Sequence, residues 1–400
     1  MKKVLLFIAI ILALSVIGIG YLLVSFSPPE NAIYNVSSTK LPTNSPNFEI
    51  YIQSTKQWLS QNREFVTDNK AQELMANIPF EIKAKNKGEL RRGILLVHGL
   101  GDSPYSFIDI AEQLSKQGFH VRAILLPGHG SKPANLISTS IQEWETLLEH
   151  QVAMFKKEVD HLYLGGFSTG ANLVTTLAIH DQSIKGLVLF SPAFRHRSGV
   201  SKLSYFLDFL NPWPFHKPKK ADNFAKYSIV PNNAAVQFSV SSQQVTDNLA
   251  IKSFERPTFM VVSEKDNVID TRQVLALFEE RFTHPNSRLL WFGNKTQSDD
   301  QRIMVLDDYL PQKRISNFSH MSVLYAPSNT HYGINANYRI CDESPKSRLG
   351  AACARSRNLW YSAFGYKEEG KLHARLTYNP WFSEMNSVIT SVFNEENLPR

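Results

Sequence analysis

Residues 159–171 read Val-Asp-His-Leu-Tyr-Leu-Gly-Gly-Phe-Ser-Thr-Gly-Ala. An apolar run, Leu162 to Leu164, enters Gly166-Phe167-Ser168-Thr169-Gly170, and a helical pattern (Ala171, Leu173, Val174, Leu177, Ala178) follows at once. Strand, G-x-S-x-G, helix is the setting in which a serine sits on a strained turn with its hydroxyl pushed outward. The flanking glycines suit that turn, because a Cβ there would clash as the chain reverses. The alternative is a glycine-rich turn carrying an ordinary hydroxyl. A serine becomes a nucleophile when a histidine takes its proton and a carboxylate fixes that histidine's tautomer. Asp266 is a candidate acid: it lies just past the buried run Pro257–Val262, where a side chain can reach the C-terminal edge of a sheet. Asp270 is the better N-cap for a helix from Thr271, and Glu264 comes sooner after the strand. His320 follows a strand-like run, Lys313–Phe318, whereas His331 lies in turn-like Pro327–Gly333. His320 is therefore the favoured base and His331 the alternative.

The elements that must position these residues alternate. Gly93–Val97 reads as a buried strand, followed by an amphipathic helix over Phe107–Gln117. A strand at Val121–Leu125 precedes a helix at Ile141–Lys157; the Ser168 strand is third and Lys185–Phe190 fourth. Such alternation predicts a mostly parallel sheet covered by helices on both faces. The rhythm breaks between Ala193 and Glu255, where Pro212, Pro214 and Pro218 mix with Tyr205, Phe206, Phe209, Trp213, Phe215, Phe224 and Tyr227. This stretch predicts an inserted cap. Alternation resumes with the strand Pro257–Val262, a helix over Thr271–Phe282 and a strand at Arg288–Phe292, with an added hairpin strand at Ile303–Leu306. Residues 325–378 read as loop, and Trp381–Phe393 as a closing helix. The expected organisation is an N-terminal segment at 4–26 and a linker with an N-terminal extension over 27–78. The core then runs over 79–193, the cap over 194–255, and the rest of the core over 256–400, with a cysteine-bearing insertion at 325–378.

Composition narrows the class. With 43% hydrophobic and 20% charged residues the chain is globular rather than disordered. A net charge of +7 is small for 400 residues, and its one short basic run (Lys217, Lys219, Lys220) is too meagre for a nucleic-acid site. Lys2 and Lys3 precede an uncharged apolar run, Val4 to Phe26. About 23 residues at 1.5 Å each span roughly 34 Å, enough for a bilayer core of about 30 Å. The leading lysines predict an inside N-terminus and an exported body, on the periplasmic or extracellular side. The rival is a cleaved signal peptide and a secreted protein. Across a membrane Cys341 and Cys353, the only cysteines, predict a disulfide worth about 3 kcal/mol. Two cysteines without histidines at ligand spacing predict no metal site.

With these motifs in view the chain resembles the α/β-hydrolase superfamily, especially bacterial carboxylesterases, monoacylglycerol lipases and lysophospholipases. The resemblance covers roughly residues 90–320. Its carriers are Val97-His98-Gly99-Leu100-Gly101-Asp102, Leu126-Pro127-Gly128-His129-Gly130, Gly166–Gly170, Ser263–Ile269 and Ser319-His320-Met321-Ser322-Val323-Leu324. The superfamily's chain order of nucleophile, acid and histidine is met by Ser168, Asp266 and His320. The resemblance implies an α/β-hydrolase fold with an inserted cap and an oxyanion hole from the Leu100 and Thr169 amides. It leaves His98 and His129 as loop organisers. Two departures stand out. About 27 residues separate the strand at Arg288–Phe292 from His320, and the 325–378 segment has no counterpart in the minimal pattern.

The reading is a serine hydrolase cleaving carboxylic esters through an acyl-enzyme, with no metal or organic cofactor. A cap rich in aromatic residues suits an apolar acyl group, although the same aromatics could simply form the cap's own core. A membrane anchor would favour monoacylglycerol- or lysophospholipid-like substrates. Two alternatives are an amidase, thioesterase or serine aminopeptidase on the same scaffold, for which Asp208, Asp222 and Asp247 are the few acids in the cap, and a non-catalytic binding protein that keeps the fold.

Overall fold

The computed structural model describes residues 2–25, 31–85, 90–195, 211–214, 222–294, 298–341, 347–356 and 358–393. Eight strands form the central sheet: β1 (Phe80–Ile82), β2 (Arg92–Val97), β3 (Phe119–Ile124), β4 (His161–Phe167), β5 (Ile184–Phe190), β6 (Thr258–Ser263), β7 (Arg288–Phe292) and β8 (Ile303–Leu306). Their spatial order is β1-β3-β2-β4-β5-β6-β7-β8, with β1 antiparallel to β3 and every other pairing parallel. Alternate residues of the buried strands serve opposite faces, as the two-residue period requires. Leu95, Val97, Leu164, Leu189, Met260 and Val262 pack beneath the helices Ile141–Phe155 and Thr169–His180. Ile94, Leu96, Tyr163, Val188, Phe259 and Val261 pack beneath Ile108–Lys116 and Phe382–Val392. The sheet is covered on both faces, as the alternation predicts, and this brings the C-terminal ends of β4, β5 and β6 together at one edge.

Several expectations need correction. The strand at Ile303–Leu306 is not a hairpin partner; it pairs parallel to β7. Among the described residues no strand delivers His320: a short 3-10 helix, Pro311–Lys313, leads into irregular residues 314–318, held by isolated bridges from Ile315 to Leu310 and Tyr361. The predicted cap does not extend to 255. Asn232–Ile251 is a 20-residue helix whose Ala234, Phe238, Val245 and Leu249 join the core beneath the sheet, so the stretch from Asn232 onward belongs to the core layer. The 325–378 stretch is not all loop: it contains a helix, Arg348–Arg355, and two short parallel strands, Trp360–Ser362 and His373–Arg375. The Cys341–Cys353 disulfide closes its base beside buried Leu359 and Ala374.

The linker is not a loose tether over its described part. Tyr34, Leu41 and Ser45 are buried. Asn135 accepts from the Ser37 amide at 2.8 Å, Trp58 donates to Thr39 at 3.0 Å, and His150 meets the Ser45 carbonyl at 2.9 Å. Residues 31–47 thus lie as a strap across the body. A helix forms over Lys2–Ser25, where the apolar run predicts one. Among the described residues no helix is long and apolar enough to cross a membrane. The predicted cap aromatics Tyr205, Phe206, Phe209 and Phe215, together with Asp208, Lys217, Lys219 and Lys220, lie outside the described residues.

Candidate active site

Ser168 occupies the turn between β4 and the helix Thr169–His180. Its φ of 54° and ψ of −117° put a non-glycine residue in a strained left-handed conformation, held by a bond from its own amide to Phe190 O at 3.0 Å. The turn closes only because its neighbours lack side chains. A Cβ on Gly166 would lie 2.5 Å from backbone atoms of Gly170 and Ala171, and one on Gly170 would lie 2.0 Å from the Val97 carbonyl oxygen. Strain of this kind at a serine between a strand and a helix is a recurrent mark of a functional turn.

Asp266 and His320 converge on that hydroxyl. His320 Nδ1 lies 2.5 Å from Asp266 Oδ2, and His320 Nε2 lies 3.0 Å from Ser168 Oγ. The carboxylate accepts, so Nδ1 carries the proton and Nε2 is left to take one from the serine. Asp266 is 1% exposed, and its other oxygen accepts from the Val268 and Ile269 amides, which fixes the carboxylate's plane. The histidine loop is fastened from below: Ser191 Oγ donates to His320 O and Ser263 Oγ to Phe318 O, each at 3.0 Å. From above, the Ser316 amide donates to Tyr361 O at 2.9 Å and Ser319 Oγ to Leu376 O at 2.6 Å. The cysteine-bearing insertion therefore buttresses the loop that replaces the expected strand. Ser191, itself at φ 40°, had no signal in the sequence beyond its place at the end of a strand.

His331 is placed elsewhere. It is 8% exposed and sits among Phe224 (ring centroids 4.1 Å apart), Tyr332 (4.4 Å) and Tyr338 (4.5 Å), with Nε2 3.3 Å from Asn223 Oδ1. Burial lowers its pKa to about 4, so it is neutral packing at ordinary pH. Asp270 caps its helix, accepting from the Gln273 amide, as predicted. Glu264 is engaged with Lys265 and the Asn294 amide.

The loop after β2 runs against the nucleophile: a Cβ on Gly99 would lie 3.1 Å from Ser168 Cβ. Among the described residues, the Leu100 and Thr169 amides donate to no other group, which leaves both for an incoming oxygen. His98 organises this loop. The Leu126 amide donates to its Nε2 at 3.1 Å, so Nδ1 bears the proton and donates to Gly99 O at 2.8 Å. Burial, reinforced by the Lys226 charge, lowers its pKa to about 4 despite that bond. The His129 ring meets His98 edge to face, with centroids 4.8 Å apart, and burial lowers its pKa to about 3. Both are neutral and linked through the backbone rather than to Ser168.

Among the described residues, Glu81, His120 and Glu158 bring ligand-type atoms within 4.8 Å of one another. Arg122 donates to both carboxylates at 2.6–2.9 Å and Lys83 to Glu81 at 2.9 Å, so protein cations already neutralise them. That cluster is an ion-pair network pinning the edge strand β1. The described cap aromatics Trp213 and Phe224 are buried at 4% and 6% exposure, which favours their role as packing.

The family model for serine aminopeptidases of type S33 (Hydrolase_4) matches residues 88–292, just over half of the chain. A thermostable monoacylglycerol lipase from Bacillus sp. (strain H-257) is 32% identical over 101 residues, which are 25% of this chain and 40% of that enzyme. Among solved structures, a metagenome-derived enzyme described with LipS and LipT as lipolytic is 21% identical, covering 55% of this chain and 88% of its own at a TM-score of 0.47. The monoacylglycerol lipase of Paleococcus ferrophilus is 20% identical, covering 54% and 87%, at a TM-score of 0.43. The eight-stranded sheet, the strained serine turn and the extent of the family match agree: the chain belongs to the serine aminopeptidase S33 family of α/β-hydrolases.

Proposed function

We propose that the protein hydrolyses carboxylic esters with an apolar acyl group, Ser168 being the nucleophile, His320 the base and Asp266 its orienting acid. The observation that carries this reading is the continuous relay from Ser168 Oγ to His320 Nε2 and from Nδ1 to Asp266. Ser168 Oγ attacks the ester carbonyl and passes its proton to His320 Nε2, while the carbonyl oxygen takes up negative charge facing the Leu100 and Thr169 amides. Each such donor contributes roughly 3–4 kcal/mol, because it acts on charge that develops only in the transition state. His320 returns the proton to the departing alcohol, leaving an acyl-serine. Water, deprotonated by the same histidine, then releases the acid and restores the hydroxyl.

The Bacillus relative's description as a monoacylglycerol lipase supports glycerol esters of fatty acids as the substrate class. The apolar run at 4–26 supports an anchor with an exported body, and a formed disulfide suits an oxidising compartment. The test is hydrolysis of p-nitrophenyl esters of rising acyl length, beside aminoacyl p-nitroanilides, with His320→Ala and His331→Ala variants. Ester turnover that rises with chain length, vanishes in His320→Ala and persists in His331→Ala supports the reading. Turnover of the anilides alone replaces it with an aminopeptidase, and loss in His331→Ala alone reassigns the base.

A further inference from the structure

His98 and the Asp102 amide hold the oxyanion loop at Gly99, and its Leu100–Asp102 side depends on ties from outside. Gly99 and Gly101 flank Leu100, Gly101 sits at φ +74°, and a glycine-rich segment keeps much conformational freedom unless tied from outside. The ties come from residues 223–227. Lys226 Nζ donates to Asp102 Oδ1 at 2.8 Å, and the Tyr227 amide donates to Gly101 O at 2.7 Å. Asp102 closes the turn from the other side: its amide donates to Gly99 O at 3.1 Å, and a Cβ on Gly99 would lie 2.9 Å from its Oδ2. Because Asp102 is tied back to Gly99, fixing Gly101 and Asp102 fixes the Leu100 amide enclosed in the Gly99–Asp102 turn.

This arm is itself clamped by parts of the chain outside the core pattern. Arg63 and Asn77, from the N-terminal extension, both donate to Phe224 O at 2.8 Å. The Arg63 guanidinium is oriented by buried Glu73 at 2.8 Å and 3.0 Å. Ser103 Oγ donates to Ala225 O at 2.9 Å, and Asn223 Nδ2 to Tyr332 OH, in the cysteine-bearing insertion, at 2.7 Å. Tyr227 OH donates to Gly128 O and accepts from the Ser131 amide, anchoring the far end. Extension, core and late insertion thus converge on residues 223–227, two of which, Lys226 and Tyr227, reach the oxyanion loop.

We propose that Lys226 is a positioning residue: by holding Asp102, beside the Tyr227–Gly101 bond, it keeps the Leu100 N–H aimed at the oxygen that becomes charged. This rests on the ester-hydrolase reading. The experiment compares wild type with Lys226→Met, Lys226→Gln and Lys226→Arg, using p-nitrophenyl butyrate turnover per site titrated by a fluorophosphonate. It also measures affinity for an alkyl trifluoromethyl ketone, whose hemiketal oxygen mimics the oxyanion. Lys226→Met and Lys226→Gln are expected to lower kcat about tenfold with KM within about twofold, short of the full loss of a donor. Ketone affinity falls in step, and Lys226→Arg recovers most of both. Wild-type kcat per site in the Met and Gln variants overturns the proposal, as does a loss confined to KM or unchanged ketone affinity. A wild-type protein with no Ser168-dependent turnover refutes the ester-hydrolase reading itself, a separate outcome.

Discussion

Replacing Gly170 by alanine tests the geometry of the serine turn. The added Cβ would lie 2.0 Å from Val97 O and 2.5 Å from His98 O, whereas real Cβ contacts essentially never fall below 3.0 Å. The start of the helix Thr169–His180 must therefore retreat from the end of β2 by at least about 1 Å. Ser168 and the Thr169 amide sit on the first body, and the Leu100 loop follows directly from the second. A relative displacement of about 1 Å costs on the order of 100-fold in rate, while the overpacking costs about 1–3 kcal/mol of stability. The assay is kcat per fluorophosphonate-titrated site with p-nitrophenyl butyrate, alongside a thermal melt. Gly370→Ala serves as the control. Gly370 also has positive φ, at +74°, but nothing lies within 4 Å of its Cβ position. That variant should lose about 1–2 kcal/mol and keep its kcat. A folded Gly170→Ala protein with kcat within twofold of wild type refutes the steric reasoning.

Three further outcomes follow, two from burial and one from the disulfide. His98, His129 and His331 have folded pKa values lowered to about 4, 3 and 4 by burial, against 6.5 when exposed. The unfolded chain binds more protons below pH 6.5, so stability should be full above that pH and fall as pH drops toward 3; urea melts across pH 4–8 check this, and a flat profile contradicts it. Asp308 is 4% exposed, its Oδ2 has no hydrogen-bond partner among the described residues, and burial followed by the nearby Glu264 charge raises its pKa to about 6. Its ionisation disfavours the folded state, a penalty that appears above pH 3.8 and is complete above pH 6. Asp308→Asn should therefore gain stability that grows over that window, read in the same melts. Replacing Cys341 and Cys353 by serine opens a loop of sequence separation 12 and should cost about 3 kcal/mol in denaturant unfolding.

The sheet and the relay were legible because their signals are local. Buried strands are short apolar runs, the serine turn needs its glycines, and Asp266 follows β6 directly. The choice of histidine was legible only in outcome. The expected strand before His320 does not exist; Ser191, Ser263, Tyr361 and Leu376 hold that loop from segments far away in sequence, and such ties leave no pattern in the residues that make them. The helix Asn232–Ile251 was missed because Asn, Gln, Ser and Thr fill much of its surface and dilute the apolar stripe. The strap at 31–47 read as a tether for a similar reason: polar side chains, not an apolar period, bind it to the body. The clamp on the loop at Gly99–Asp102 was equally silent, since Arg63, Asn77, Asp102 and Lys226 are ordinary surface types until folding brings them together.

The most direct measurement is covalent labelling by an alkyl fluorophosphonate together with p-nitrophenyl butyrate hydrolysis, in wild type and Ser168→Ala. The account predicts stoichiometric labelling and turnover in the wild type and loss of both in the variant. No labelling and no turnover in the wild type, or labelling and turnover that survive the substitution, contradict Ser168 as the nucleophile.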